Sequence, residues 1–355
     1  MHSYSLRKLR SSLLSWFARS GRNMPWRHTR DPYRVLTAVI MLQQTQVSTV
    51  IPYFHKFMNC FPSLLKLAAS PRQTVLKQWA GLGYYRRAIN LWKSARIIRS
   101  KHRGRFPRNI AEIRKLPGCG PYTTATVASM AFNLPETAVD GNIIRVISRL
   151  YALKGDPSKK TLRNKIALLA SQLLDRKYPG DFNQAMMELG GRICTPRSPA
   201  CPVCPIRIFC SAQKKGLQEQ LPQLPGRPFV EKLDRAVSVL LQNNKIYIEP
   251  KKPAKGFGLM EGMWGFPGFA VKHDARSSLS DLHAVTGLDP VKVLCQFTHS
   301  ITRYRIRVRA FLFMAKKIKG HKTGKWVRIG ELEKYPMPSA DQKIAASLKI
   351  PSLNS

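Results

Sequence analysis

Residues 116–142 combine a glycine-rich turn with a single carboxylate. Leu116-Pro117-Gly118-Cys119-Gly120 predicts a tight turn in which both glycines adopt positive φ, and Pro121 suits the first position of a helix. The outward backbone N–H groups at such a helix start can hold a phosphate. Asp140 follows in a glycine-flanked turn that precedes a predicted helix over residues 143–152. The stretch therefore predicts a phosphate-binding turn beside one carboxylate. A G-x-G turn also occurs as a simple connector between helices.

A second group of residues could bind metal. Four of the seven cysteines are separated by six, two and five residues, and prolines flank the middle pair: Cys194, Cys201, Cys204 and Cys210. This spacing suits either zinc or an iron–sulfur cluster. Arg192, Arg197 and Arg207 surround these cysteines in sequence, so the loop is also expected to face phosphates and to have a structural role.

The sequence as a whole resembles a known family of repair enzymes. LPGCGPYT followed by DGN is similar to the helix–hairpin–helix glycosylase superfamily, which excises damaged or mispaired bases. Three further motifs resemble the MutY-type adenine DNA glycosylases: MLQQTQV at 41–47, GLGYYRRA at 81–88 and FNQAMMELGGRIC at 182–194. The resemblance implies a [4Fe–4S] cluster on the four cysteines. It also implies hydrolysis of the N-glycosidic bond of adenine opposite 8-oxoguanine or guanine in double-stranded DNA.

The resemblance assigns catalytic roles to the hairpin and the turn after it. Asp140 matches the family's sugar-side carboxylate, whose charge stabilises an oxocarbenium-like sugar cation. Asn142 and Tyr122 match neighbours that order this carboxylate and the sugar, and Gly118 and Gly120 match the DNA-binding hairpin. Tyr122 stands where endonuclease III-type relatives carry a Schiff-base lysine. This implies a monofunctional glycosylase without strand-cleaving lyase activity.

The resemblance also implies contacts to the bases. The adenine pocket would contain Trp26, Arg27 and Gln184, and the 8-oxoguanine contacts would be Gln44 and Thr45, with Leu82 and Tyr84 wedged between bases beside the lesion. Taken alone, the Gln-rich turn would be solvated surface and the aromatic residues of 81–88 would be core. Glu188 is interpreted as structural.

One residue of the family's chemistry is missing. The purine-side acid of the family is a glutamate four residues before the first Gln of QQTQ, and Val39 occupies that position here. A general acid typically contributes about 10²–10⁴-fold to the rate, and valine has no proton to donate. We therefore expect binding to be retained and catalysis to be impaired. The alternatives are a lesion-pair binding protein without turnover and a monofunctional glycosylase for another mismatched base.

The charge of the chain supports a polyanionic partner. Lys and Arg total 60 against 19 Asp and Glu, a formal net charge of +41, and neutralising phosphates releases condensed counterions. No apolar run approaches the ~18 residues of a membrane span, and residues 6–22 are interpreted as the first domain helix and not as a transit peptide. We expect a cytoplasmic, nucleoid-associated monomer that binds DNA and no membrane.

The length of 355 residues favours two domains. The predicted fold class is mainly α: a helix–hairpin–helix glycosylase domain with an iron–sulfur loop over residues 1–212, a linker over 213–230 and a smaller α+β domain over 231–355. In the last part, Asn243-Asn244 predicts a hairpin between strands 236–241 and 245–249. Residues 304–309 predict a half-buried strand with a basic face.

The C-terminal part resembles the family's Nudix-like domain. Gly262-Met263-Trp264-Gly265-Phe266-Pro267-Gly268 is similar to that domain's Trp-Phe-Pro segment. The stretch LHAVTGL at 282–288 lacks the glutamates that hold magnesium in Nudix hydrolases, so the domain is expected to recognise and not to hydrolyse. The family's 8-oxoguanine loop is usually Phe-Ser-His, and Ile301-Thr302-Arg303 stands there. Thr302 keeps the hydroxyl group.

Overall fold

The computed structural model describes residues 3–226, 229–251, 262–271, 283, 288–301, 304–315 and 323–348. The chain divides into two compact units. The first contains Met1–Ala69 and Asn90–Gly226, and the second contains Ser70–Ile89 and Arg227–Ser355. Among the described residues, no helix has the length and apolar character needed to cross a bilayer.

Residues 3–226 form helices joined by turns and loops. They are α1 (Ser3–Ser20), α2 (Pro32–Leu42), α3 (Val47–Cys60), α4 (Leu64–Ala69), α5 (Arg72–Trp79), α6 (Arg86–Lys101), α7 (Ile110–Arg114), α8 (Pro121–Phe132), α9 (Gly141–Leu150), α10 (Lys160–Leu173), α11 (Pro179–Arg192) and α12 (Ser211–Lys214). Short 3-10 turns lie at Cys201–Val203 and Arg207–Phe209.

Local signals in the sequence fix where the site-bearing helices begin. The Asp31 carboxylate caps α2 by accepting from the Tyr33 N–H, and proline occupies the first position of α2, α8 and α11. The helix expected to start at Pro121 is confirmed as α8, and the helix predicted over 143–152 is confirmed as α9, which begins two residues earlier and ends two residues earlier.

The core of the helical unit forms where α9, α10, α11 and α1 pack together. Its fully buried side chains include Leu9, Leu13, Ile147, Leu173 and Ala185. Because α9 and α11 both contribute to this core, their positions relative to each other are fixed by apolar packing. The polar residues at the start of α9 and along α11 are therefore also held in fixed positions relative to each other.

Much of the predicted linker lies against the helical unit. Ser211–Lys214 form α12, which packs on α9, and Leu221 is buried with its carbonyl accepting from Arg149 Nε at 2.8 Å. The compact helical unit accordingly extends to Gly226.

The second unit contains a mixed sheet. Its strands are β1 (Glu231–Gln242), β2 (Lys245–Pro250), β3 (Trp264–Gly265), β4 (Gly268–Val271), β5 (Lys292–Ile301), β6 (Tyr304–Met314) and β7 (Lys325–Arg328). The order is β3-β2-β1-β6-β5, with β4 on β1 and β7 on β2. β1 and β6 are parallel and the other pairs are antiparallel. The hairpin at Asn243-Asn244 is confirmed, and both asparagines have positive φ.

One face of this sheet is covered by helix α13 (Ser339–Ser347). Val237, Val308 and Ile344 belong to the core between them. Asp341 of α13 is fully buried there and accepts from both terminal nitrogens of Arg235 at 3.2 Å. The opposite face carries a smaller apolar cluster at one end, with Phe311 and Phe313, while its other end is polar.

Candidate active site

The hairpin before α8 has one glycine in the left-handed region and not two. Gly118 has φ +85, and a Cβ there would approach Asn90 Cβ to 3.1 Å. Gly120 has φ −69 and ψ 179, so the prediction of positive φ at Gly120 was wrong. The physical reason is Pro121, because a residue before proline is restricted to extended conformations. The turn is closed by the Cys119 N–H, which donates to Leu116 O at 3.0 Å.

Asp140 is the N-cap of α9. Its Oδ1 accepts from the Ile143 N–H at 2.7 Å and its Oδ2 accepts from Asn142 Nδ2 at 2.9 Å. Burial raises the pKa of Asp140, and these hydrogen bonds partly offset that effect. The structure therefore brings together two of the predicted catalytic residues and holds the carboxylate in one orientation.

Asn142 is in turn fixed by α11 and by Arg145. A Cβ at Gly190 would lie 2.6 Å from Asn142 Cβ, so only glycine allows α11 to approach this closely. Arg145 donates to Asn142 Oδ1 at 2.8 Å, to Gly190 O at 2.7 Å and to Cys194 O at 2.7 Å. A continuous set of hydrogen bonds thus joins the Asp140 carboxylate to the backbone of the first cysteine. The sequence motifs did not predict a role for Arg145.

Tyr122 lies in the first turn of α8. Its hydroxyl contacts Met187 Sδ on α11 at 3.7 Å. Burial raises the pKa of Tyr122, and the negative charge of Asp140 adds to the shift. Tyr122 therefore stays a neutral phenol beside the Asp140 carboxylate.

The loop that leads to Asp140 is held by the FNQ motif of α11. Asn183 accepts from the Ala138 N–H at 3.2 Å, and its Nδ2 donates to Glu136 O at 2.8 Å and to Ser129 Oγ at 2.9 Å. Gln184 follows it and is only 9% exposed. In the described part of the chain its Oε1 is buried without a hydrogen-bond donor. A buried acceptor of this kind is costly unless a ligand or an ordered water pairs with it.

Arg27 and Glu188 belong to one ion-pair cluster. Glu188 lies one turn after Gln184 on α11 and accepts from Arg27 Nη2 at 2.8 Å and from Arg22 Nε at 2.8 Å, with Arg192 at 3.6 Å. Although burial of Glu188 raises its pKa, the arginine hydrogen bonds outweigh burial and lower the pKa to about 2. Glu188 is therefore ionised at neutral pH and orders the arginines. Trp26 is buried in edge-to-face contact with Phe54, with 5.4 Å between ring centroids.

Val39 lies on α2 and is 5% exposed. α2 packs against α8, and Gln43 Nε2, one turn after Val39, donates to Thr123 Oγ1 at 3.1 Å. The position that carries the acid in the family is thus a buried apolar site on a helix that contacts the hairpin helix.

Two of the predicted DNA-contact residues have strained backbones. Gln44 has φ 59 and is exposed, and Tyr84 has φ 48 and is partly exposed. Non-glycine residues in this region cost energy and are concentrated at functional sites. Thr45 is half-buried, and Leu82 is 6% exposed, so Leu82 would have to leave its packing to enter a base stack. Thr302 lies outside the described residues, as does most of the 282–288 stretch.

The four predicted ligand cysteines line one pocket together with Arg149 and Arg207. Arg149 is 2% exposed, and its Nη1 contacts Cys194 Sγ at 3.3 Å and donates to Thr195 O at 2.7 Å. Among the described residues, no group of three or more His, Cys, Asp or Glu side chains is arranged to hold one metal ion.

Comparison with known proteins identifies the family. Residues 37–172 match the HhH-GPD superfamily of base excision DNA repair proteins, and residues 236–347 match the NUDIX domain. The adenine DNA glycosylase of Buchnera aphidicola subsp. Baizongia pistaciae (strain Bp) is 31% identical over 347 residues, which cover 95% of this chain and 96% of that protein. The chain belongs to the MutY-type adenine DNA glycosylase family. The predicted family and fold class are confirmed.

A mammalian adenine DNA glycosylase and a solved DNA glycosylase are also similar to this chain. The Mus musculus adenine DNA glycosylase is 42% identical over 231 residues, which are 62% of this chain and 45% of that protein. The chain thus spans under half the length of this mammalian relative. A solved thermostable thymine-DNA glycosylase is 32% identical, with a TM-score of 0.55, and covers 60% of this chain and 98% of its own length.

Proposed function

We propose that the chain is a monofunctional adenine DNA glycosylase of base excision repair. Its substrate would be double-stranded DNA with adenine opposite 8-oxoguanine or guanine. The protein would act as a monomer in the cytoplasm, at the nucleoid. The observation that carries the proposal is the half-buried Asp140 carboxylate, held by Asn142 and the Ile143 N–H beside the Tyr122 phenol. Family membership along nearly the whole chain supports it.

The sugar side of the reaction depends on Asp140. Breaking the N-glycosidic bond builds positive charge on the deoxyribose, and a fixed carboxylate stabilises that charge without reorganising. The hydrogen bonds to both carboxylate oxygens keep Asp140 oriented, and Gly190 and Arg145 hold Asn142 in place. Tyr122 is neutral and has no amine, so it cannot form a Schiff base with the sugar.

The purine side depends on the residues of α11 and on the segment before α2. The unpaired Oε1 of Gln184 is suited to accept from the exocyclic amine of an adenine, which must be rotated out of the duplex to reach it. Arg27 is held by Glu188 and by stacking over Phe17, with 4.8 Å from guanidinium to ring centroid. Trp26 adds an apolar wall to the proposed pocket.

Protonation of the departing purine is the step that the residue at position 39 cannot perform. Val39 has no proton to give, and Glu188 remains ionised because its pKa is about 2. We therefore propose that the protein binds the mispair and excises adenine slowly. The contacts to 8-oxoguanine are assigned to Gln44, Thr45 and Thr302, with Leu82 and Tyr84 opening the base stack.

The four cysteines are proposed to hold a [4Fe–4S] cluster. Four thiols line one pocket, and two arginines beside them supply positive charge next to thiolates. A [4Fe–4S] cluster is held by four cysteine thiolates, which is the number of cysteines in this pocket. When bound, the cluster would crosslink the loop after α11 and present the loop to phosphates. Arg145 and Arg149 would then hold the loop on α9.

The proposal is tested by measuring the free base released from matched duplexes. Adenine opposite 8-oxoguanine, adenine opposite guanine and thymine opposite guanine are incubated with excess protein, and the released base is identified by mass spectrometry. We expect slow release of adenine and none of thymine. Release of thymine would favour the second candidate, a glycosylase for another mismatched base, which the 32% identity to a thymine-DNA glycosylase supports. Tight binding without any release would favour a lesion-pair binding protein.

A further inference from the structure

The polar end of the sheet in the second unit carries a regular array of cations. In register, Lys232 lies beside Arg305 and Asp234 beside Arg307, on parallel strands β1 and β6. On the other side of β6, Ser300 pairs with Arg305, Thr298 with Arg307 and Gln296 with Arg309. We call this surface the arginine face, and it consists of Lys232, Asp234, Gln296, Thr298, Ser300, Arg305, Arg307 and Arg309.

Strand alternation puts these side chains on one side of the sheet. Ile306 and Val308 are buried in the core under α13, so Arg305, Arg307 and Arg309 point to the opposite side. Lys232, Arg305 and the three polar residues of β5 are exposed. The apolar cluster on this side includes Phe311 and Phe313 and therefore lies farther along β6 than the arginines. The arginine face is thus an exposed polar surface on the same side as that cluster.

The charges of the face are poorly balanced. The face contains four cationic side chains and one carboxylate, that of Asp234. This carboxylate accepts from Arg307 at 2.9 and 2.6 Å and lies 3.9 Å from Arg309. Lys232 and Arg305 occupy neighbouring register positions, and like charges on adjacent strands repel. An ordinary solvated sheet face mixes both signs and avoids such pairs.

The face is also partly ordered before any ligand binds. Two nitrogens of Arg307 bond to Asp234, which fixes the guanidinium, yet half of the Arg307 side chain remains exposed. Arginine, lysine, serine, threonine and glutamine are the side chains that contact phosphate oxygens in protein–DNA complexes. The composition and the order of the face therefore fit a row of backbone phosphates.

We propose that the arginine face binds the backbone phosphates of duplex DNA without reading sequence or lesion. This rests on the proposed function only in taking DNA as the partner. It adds to the second unit a phosphate-binding surface that needs neither Thr302 nor the adenine pocket. Each phosphate neutralised there should contribute about 0.9 to the slope of log affinity against log salt concentration.

The test is the salt dependence of binding to undamaged duplex DNA by the full chain. The double variant Lys232→Gln/Arg305→Gln removes two charges and leaves the Asp234–Arg307 pair intact. We expect its slope to be shallower by about 2, so that between 50 and 200 mM salt the unaltered protein loses about tenfold more affinity than the variant. A thermal melt of each protein checks that folding is unchanged.

The matched control is Lys245→Gln/Lys292→Gln, which removes the same charge from exposed positions elsewhere in the sheet. We expect its slope to match that of the unaltered protein. Equal slopes for all three proteins, or equal losses in both variants, would overturn the proposal and leave only an effect of net charge. If the first variant does not fold, Ser300→Asp is used instead, because it places a carboxylate opposite Arg305. The slope of log affinity against log salt concentration should then be shallower by about 1. An unchanged slope in this variant would contradict the proposal. Excision of adenine is measured separately, so failure of the glycosylase proposal would not be confused with failure of this one.

Discussion

Val39→Glu should increase the rate of adenine excision. The substitution puts a carboxyl group on α2, one turn before Gln43, whose amide bonds to Thr123 of α8 at 3.1 Å. Tyr122 precedes Thr123 and lies beside Asp140. The new acid would therefore enter the helix that packs against the hairpin helix, at the position where the family carries its glutamate.

The size of the effect follows from two opposing terms. A positioned general acid contributes about 10²–10⁴-fold, or about 3–5 kcal/mol of the activation barrier. Because Val39 is 5% exposed, a neutral carboxyl buried there costs about 1–3 kcal/mol of folding free energy. Burial also raises the pKa of a carboxyl group, which keeps the proton available for the purine. The variant should be faster and less stable.

The assay is single-turnover excision on a duplex with adenine opposite 8-oxoguanine, with binding measured separately. Val39→Gln is the matched control, because it adds a side chain of the same size that cannot donate a carboxyl proton. Glu should accelerate excision and Gln should not, while both bind like the unaltered protein. Fast excision by the unaltered protein, together with no gain or a loss of rate in Val39→Glu, would show that another group protonates adenine.

Three other outcomes are expected. Burial raises the pKa of Asp140 above the ordinary aspartate value of 3.8. The single-turnover rate should therefore fall as the pH drops through this raised pKa, because the carboxylate becomes protonated. A rate that stays constant down to pH 3.8 would contradict this. Purified protein should be brown and contain about four irons per chain by elemental analysis, whereas one zinc and no iron would exclude the cluster. Borohydride should trap no covalent complex with DNA, because Tyr122 offers no amine, and efficient trapping would reveal a lyase.

Local signals explain why much of the fold was predictable. Asp31-Pro32 and Pro121 set the starts of α2 and α8, and Asn243-Asn244 set the first hairpin of the sheet. The pairing of Asp140 with Asn142 could also be expected, because both lie within three residues at a helix start. In each case the controlling residues are adjacent in sequence, so the physics is local.

The parts that were missed depend on distant residues or on a competing local rule. Glu188 meets Arg22 and Arg27 across more than 160 positions in sequence, and Arg145 meets Cys194 O across 49. No spacing rule connects such pairs. Gly120 is different, because the rule that overturned its predicted positive φ, the restriction before proline, was readable in the sequence.

The role of Asp140 in excision is tested most directly by the dependence of adenine release on this carboxylate. Unaltered protein and Asp140→Asn are compared in excess over a duplex carrying adenine opposite 8-oxoguanine, with released adenine quantified by mass spectrometry over time. We expect slow but complete release by the unaltered protein and none by Asp140→Asn, because the asparagine cannot offset the charge of the sugar cation. Equal release by both proteins, or release of a base other than adenine, would contradict this expectation.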